Sequence, residues 1–157
     1  MKSTKAIPFL FGLILLAVPA SDSRSQHSRG GVKLVINVGG FKNSTGKLVV
    51  TVNNGPGTYF SADPKQKPFL SASAEIKRGF ASVTFDGVPS GKYAIGFFHD
   101  EDGDGKIKRD KNGKFLEDFG FSNNPRGRNA QPNFEKDKIS LGSGYLKKTY
   151  RLIPCCR

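Results

Sequence analysis

The chain has 157 residues, with 19 glycines, 9 prolines, 13 phenylalanines, no tryptophan and 36% hydrophobic residues. That is material for one domain with an aromatic core, and it argues against a helical bundle or coiled coil. Twenty-five basic against thirteen acidic residues give a formal charge of +12 and a pI near 9.9, which favours anionic partners without selecting nucleic acid, membrane or acidic polysaccharide.

Lys2 and Lys5 precede the apolar run Ile7–Val18, and Val18-Pro19-Ala20 places small residues where a signal peptidase reads. The run is 12 residues long, short of the roughly 20 that cross a bilayer as a helix. We therefore expect an export signal over residues 1–20, no permanent membrane anchor, and a periplasmic, cell-surface or extracellular mature protein. Cleavage removes two lysines and no acid, leaving a formal +10. Residues 21–31 are polar and rich in Ser, Arg and Gly, as in a disordered leader. The domain is expected over 32–153, with a short tail over 154–157.

From Val32 the chain alternates, with Val32, Leu34, Ile36 and Val38 on one face and Lys33 and Asn37 on the other, the period of a half-buried strand. Gly39-Gly40 ends this segment. Leu48, Val50 and Val52 repeat the pattern after Asn43-Ser44-Thr45-Gly46, so the two segments are expected to pair as antiparallel neighbours. Residues 53–68, with Gly55-Pro56-Gly57 and Asp63-Pro64, read as a surface loop. Further strands are expected over 71–77, 80–85 and 93–99. In the last of these both faces are largely apolar, as in a strand at the middle of a sheet. Two more follow over 136–141 and 146–153. No dozen-residue window after the export signal carries a 3.6-residue apolar stripe, so the expected fold is all-β, a seven-stranded antiparallel β-sandwich.

The segment Asp100-Glu101-Asp102-Gly103-Asp104-Gly105-Lys106-Ile107 leaves the 93–99 strand directly. Carboxylates at alternate positions converge on one point, Gly105 permits a sharp bend, and the Lys106 carbonyl offers another oxygen, which together make the first half of a calcium loop. The second half departs from the helix-flanked pattern. Lys111 stands where a bidentate Glu would close the loop, Asp110 lies one residue early, and Glu117-Asp118 come later. The candidate metal ligands are therefore Asp100, Asp102, Asp104, Lys106 and Asp110, with calcium as the cation. Residues 100–118 hold seven acids and five bases, a net −2, inside a chain that is otherwise basic. A divalent ion would relieve that crowding. The alternative is a solvated Asp/Gly-rich hairpin, and magnesium or manganese are the other ions this ligand type admits.

His99 is the one histidine of the domain and neighbours Asp100. Adjacent strand residues point to opposite faces, so the two do not form a proton-relay dyad. Nucleophile-elbow, zinc-protease and phosphate-loop motifs are absent, and no catalytic residues are assigned. Phe119-Gly120-Phe121 followed by Ser122, Asn123 and Asn124 suits a segment folding back over the sheet. Cys155 and Cys156 are the only cysteines, adjacent and nearly terminal. A bridge between neighbours strains the intervening peptide, so free thiols, a link to another chain and a vicinal bridge all stay open.

The segments Gly87-Val88-Pro89-Ser90-Gly91-Lys92-Tyr93-Ala94-Ile95, Phe98-His99-Asp100-Glu101-Asp102-Gly103-Asp104-Gly105-Lys106, Phe119-Gly120-Phe121-Ser122-Asn123-Asn124 and Pro132-Asn133-Phe134-Glu135, in that order, resemble a family of uncharacterised exported bacterial proteins, a domain of unknown function. The resemblance covers roughly residues 32–153. It implies a small sandwich of transthyretin-like/Ig-like type, akin to carboxypeptidase regulatory-like domains, and it implies no activity. The resulting expectation is a non-catalytic binding or accessory module with a calcium loop. A small secreted hydrolase using the acidic loop, or a structural subunit of an envelope assembly, are the alternatives. An anionic envelope component or polysaccharide is the expected partner class; no nucleic acid is expected. If residues 1–20 are removed on export, mass spectrometry of the mature protein will read Ser21 as its first residue, and retention of Met1 in the exported protein would overturn the assignment.

Overall fold

The computed structural model describes residues 31–123 and 131–155. The expected export signal, most of the leader, Asn124, Arg126, Arg128 and Cys156 lie outside the described residues. The described residues form β1 (Val32–Gly39), β2 (Lys47–Asn53), β3 (Leu70–Glu75), β4 (Phe80–Val88), β5 (Gly91–Asp100), β6 (Phe119–Phe121), a single-turn helix α1 (Phe134–Asp137), β7 (Lys138–Leu141) and β8 (Gly144–Arg151).

The strands make two sheets, one in the order β4-β1-β8 and the other β3-β2-β5-β6, with β7 also pairing β5. Alternation dictates the interior. Leu34, Ile36 and Val38 of β1 and Leu48, Val50 and Val52 of β2 are fully buried and meet Val83 and Phe85 of β4 and Ile95 and Phe97 of β5. This is an all-β sandwich, as the sequence predicts, with eight strands among the described residues rather than seven.

The extra strand is β6. Three residues are too few to show a period, and Phe119-Gly120-Phe121 reads equally well as a turn. Its glycine has a steric cause: a Cβ on Gly120 would lie 2.4 Å from the Phe97 ring. The connectivity also differs from expectation in two places. β1 and β2 do not pair; β1 lies between β4 and β8, while β2 lies between β3 and β5. Residues 40–46 thus cross from one sheet to the other, and a turn-rich connector between two like-patterned strands does not reveal whether it closes a hairpin or changes sheets. β8 runs parallel to β1, so the first sheet is mixed. The expected strand at 136–141 begins two residues later, because Asn133 accepts the Lys136 N–H and caps α1 ahead of it.

β5 is the spine of the second sheet. β2 pairs along one edge, and the other is divided between β7, opposite Gly91–Ala94, and β6, opposite Gly96–Phe98. Every residue of β5 from Tyr93 to Asp100 is buried. The face turned away from the sandwich carries Ala94 and Phe98, which join Val49, Phe119 and Phe121 in a second apolar cluster covered by Tyr59, Phe60, Ile107 and Phe115. Loops 54–69 and 101–118 supply that cover. After β8 the chain crosses between the sheets: the Leu152 N–H donates to the Gly39 carbonyl, and Ile153 exchanges hydrogen bonds with Phe119. Cys155 then packs into the second cluster and is disulfide-bonded, which removes the free-thiol option for this residue.

Phe97 is fully buried and stacks on Tyr150 at 5.1 Å. Phe97→Ala should cost about 3–5 kcal/mol through lost contacts and the cavity left behind, whereas Tyr145→Ala, at a residue 63% exposed, should change stability by no more than about 0.5 kcal/mol. Urea unfolding of both variants checks the contrast.

Candidate metal corner

Asp100 is the last residue of β5, held opposite Lys47 of β2. Its carboxylate organises the turn that follows: Oδ1 accepts from the Gly103 N–H and Oδ2 from the Gly105 N–H, both at 3.0 Å. Gly103 and Gly105 each take φ of +77°, and a side chain at either would be strained by its backbone. Asp104 is spent within the turn, its Oδ1 accepting from the Lys106 N–H at 2.7 Å. Asp102 is exposed, and its Oδ2 lies 3.2 Å from Lys108 Nζ; that hydrogen bond holds its carboxyl below the ordinary carboxylate range.

The chain then forms a small hairpin. Leu116 N–H donates to the Lys108 carbonyl and Asp110 N–H to the Lys114 carbonyl, while Asp110 Oδ1 accepts from the Asn112 and Lys114 N–H groups at the tip. The hairpin carries Asp110 away and returns Glu117 to the base of the loop. Glu117 is 3% exposed; its Oε1 accepts from Glu101 N–H at 3.0 Å and its Oε2 from Lys108 N–H at 2.9 Å. Burial pushes its carboxyl upward, against the two backbone donors, and the charges of Asp102 and Asp100 add to the rise.

Asp100, Asp102 and Glu117 each place a carboxylate oxygen within 4.8 Å of the other two. Of the five residues chosen from the sequence, the structure brings Asp100 and Asp102 together and puts the Asp104 and Asp110 carboxylates in their own turns. The Lys106 carbonyl belongs to the same loop. Glu117 is the member that spacing did not select, because the intervening hairpin erases the distance along the chain. A 290 Å³ depression lined by Lys47, Val49, Ser73, Asp100, Gly103 and Gly105 opens onto Asp100.

The neighbouring turn fits the corner closely. Gly46 has φ of +73°, and a Cβ there would fall 2.0 Å from the Asp100 carbonyl oxygen. Fully buried His99 faces the sandwich interior, its Nε2 2.7 Å from the Thr45 carbonyl and its ring edge-on to Phe41. His99 and Asp100 thus point to opposite faces of β5, as expected of adjacent strand residues, and the His99 ring contacts the 40–46 connector. Lys42 reaches over to Glu101 at 2.5 Å, and that hydrogen bond raises the Lys42 ammonium above its ordinary range. Asp118, also buried, accepts from the Cys155 N–H at 2.9 Å and so belongs to the closure of the tail. Basic residues stand on both sheets, Lys33, Lys147 and Arg151 among those on β1 and β8 and Lys47, Lys92 and Lys138 among those on the second sheet.

Because Glu117 keeps its proton above the ordinary glutamate value of 4.5, the folded chain binds more protons than the unfolded chain in the window just above that pH. Its contribution to stability therefore falls as pH rises through the window. In metal-free protein, carboxyl NMR should show Glu117 titrating above 4.5, and Glu117→Gln should abolish the matching decline in urea midpoint. A carboxyl titrating below 4.5 contradicts the expectation.

Neither a curated protein nor a solved structure matches the chain significantly. A family model described as an uncharacterized protein conserved in bacteria (DUF2141) matches residues 36–148, a span that runs from the middle of β1 to β8 and includes the acidic corner. The chain belongs to this bacterial family.

Proposed function

We propose that this domain is an exported, non-catalytic binding module that holds a calcium ion at the Asp100–Asp102–Glu117 corner. The observation that carries the reading is the approach of three carboxylates to within 4.8 Å of one another, two of them on buried residues. A carboxylate has about four lone-pair sites over its two oxygens. The backbone N–H groups described above use two on Asp100 and two on Glu117, leaving acceptor capacity on both for a cation. Hard oxygen donors of this kind suit calcium, whose flexible coordination tolerates a mixed set completed by a carbonyl and water. The same backbone bonds hold Asp100 and Glu117 in fixed positions, which favours a structural ion over acid–base turnover. His99 is turned to the opposite face of β5 from Asp100, with its Nδ1 3.9 Å from Glu101 Oε1.

Calorimetry and thermal unfolding of the full chain test this. Calcium should bind with Kd of about 10⁻⁴–10⁻³ M, the range of extracellular modules, and at thirty times Kd should stabilise the fold by about 2 kcal/mol. Asp100→Asn and Glu117→Gln should each remove binding, and Asp110→Asn should leave it unchanged. Lys108→Met should tighten it about two- to five-fold by freeing Asp102 from its lysine. Absence of heat and of any melting shift at 10 mM calcium sinks the proposal, as does equal loss in Asp110→Asn.

A further inference from the structure

A second concave site lies on the same face of the second sheet. Loop 54–69 arches over β2 and β5 and, with the turn at residues 105–109, encloses a 440 Å³ groove, within the roughly 300–1,000 Å³ of small-molecule sites. Its walls are mainly apolar, with Phe60, Phe98, Ile107, Pro64 and Pro68 among them, and Arg109 lines it as well.

The loop is anchored through Phe60, whose ring contacts those of Tyr59, Phe115 and Phe121. The Phe60 ring also fills the space above Gly96, where a Cβ would come within 2.6 Å of it. Phe60 adopts φ of +52°, a conformation that bulky side chains rarely take. Its carbonyl accepts from Arg109 Nη2 at 2.7 Å, and Arg109 Nη1 donates to the Gly113 carbonyl at 3.1 Å. The guanidinium carbon sits 4.2 Å from the centre of the Phe115 ring.

All these partners are neutral. Arg109 makes no ion pair with a described residue, although its charge is half-buried and burial pushes its pKa down. Two of its five N–H donors are engaged and three are left. Lys106 adds positive charge to the lining. Asp63, the one carboxylate there, is exposed and uses Oδ1 to accept the Lys65 N–H. A partly desolvated guanidinium without a counter-ion at an apolar groove favours an occupant with a carboxylate head and an apolar tail, since the planar fork matches a carboxylate and the walls match hydrocarbon.

We infer that the groove between loop 54–69 and residues 105–109 binds a small amphipathic carboxylate, anchored by Arg109 and sheathed by Phe60, Phe98 and Ile107. This goes beyond the calcium reading and does not depend on it, so the test is run in EDTA, where loss of calcium binding has no bearing on the result.

Octanoate and 1-octanol are titrated into the full chain, with amide NMR shifts at Thr51, Phe98 and Arg109 as the readout. Octanoate should saturate and bind at least about tenfold more tightly than octanol, the margin of a charge-assisted hydrogen-bonded pair. Arg109→Gln should bring octanoate to the level of octanol, and Arg109→Lys should keep part of the preference. Because Arg109 also tethers Phe60, Ala62→Trp serves as a second variant that fills the groove without touching the guanidinium; it should weaken both ligands at least tenfold at an unchanged melting temperature. Equal affinity for octanoate and octanol, no saturable binding of either, shifts confined to residues outside the groove, or octanoate binding unaffected in Arg109→Gln or Ala62→Trp would each overturn the inference.

Discussion

The architecture depends on the burial of β5 on both faces. A strand whose inward residues are Tyr93, Ile95 and Phe97 and whose outward residues are Ala94 and Phe98 needs apolar cover on each side. The facing sheet covers one side. The other is covered by irregular chain, which must bring its own apolar side chains and find partners for its own backbone polar groups. Loops 54–69 and 101–118 do both, and the features with chemical potential lie in them for that reason.

The acidic corner shows how irregular backbone is satisfied. Asp100 holds two N–H groups of the turn after it, Glu117 holds two from segments that would otherwise be unpaired, and Asp110 closes the hairpin tip in the same way. Carboxylates stand where a loop needs acceptors, and their accumulation is what gives this part of a basic chain its negative charge. Lys108 and Lys42 relieve part of the repulsion at Asp102 and Glu101. Burial pushes the Glu117 carboxyl up, and the charges of Asp102 and Asp100 add to that rise.

Further along the same loop a positive charge lies among neutral partners. Arg109 lies on an aromatic ring with carbonyls as its hydrogen-bonding partners, close to a groove whose walls derive from the cover of the second cluster. Carbonyl dipoles and a ring face stabilise a guanidinium less than a carboxylate does. Gly105 lines both this groove and the depression at Asp100.

Periodicity made the interior strands legible: Val32 to Val38, Leu48 to Val52 and Tyr93 to His99 show alternation or two-sided apolarity because burial acts on each residue in turn. The Asp100–Asp104 run was legible as an acidic turn because Asx-type hydrogen bonding is local. The pairing of β1 with β4 and β8 instead of β2 was not, since several strands carry the same inward pattern and only packing of the whole sandwich selects neighbours. β6 was hidden by its shortness. Glu117 and Arg109 were hidden because their surroundings are assembled from segments far apart in the chain: a hairpin returns Glu117 to Asp100, and Phe60 comes to Arg109 across 49 residues. Composition and local pattern therefore determined the fold class and the position of the acidic loop, both of which follow from interactions among near neighbours. Sheet order, the third carboxylate of the corner and the groove beside it were decided by tertiary structure, because each requires long-range contacts that no local period encodes.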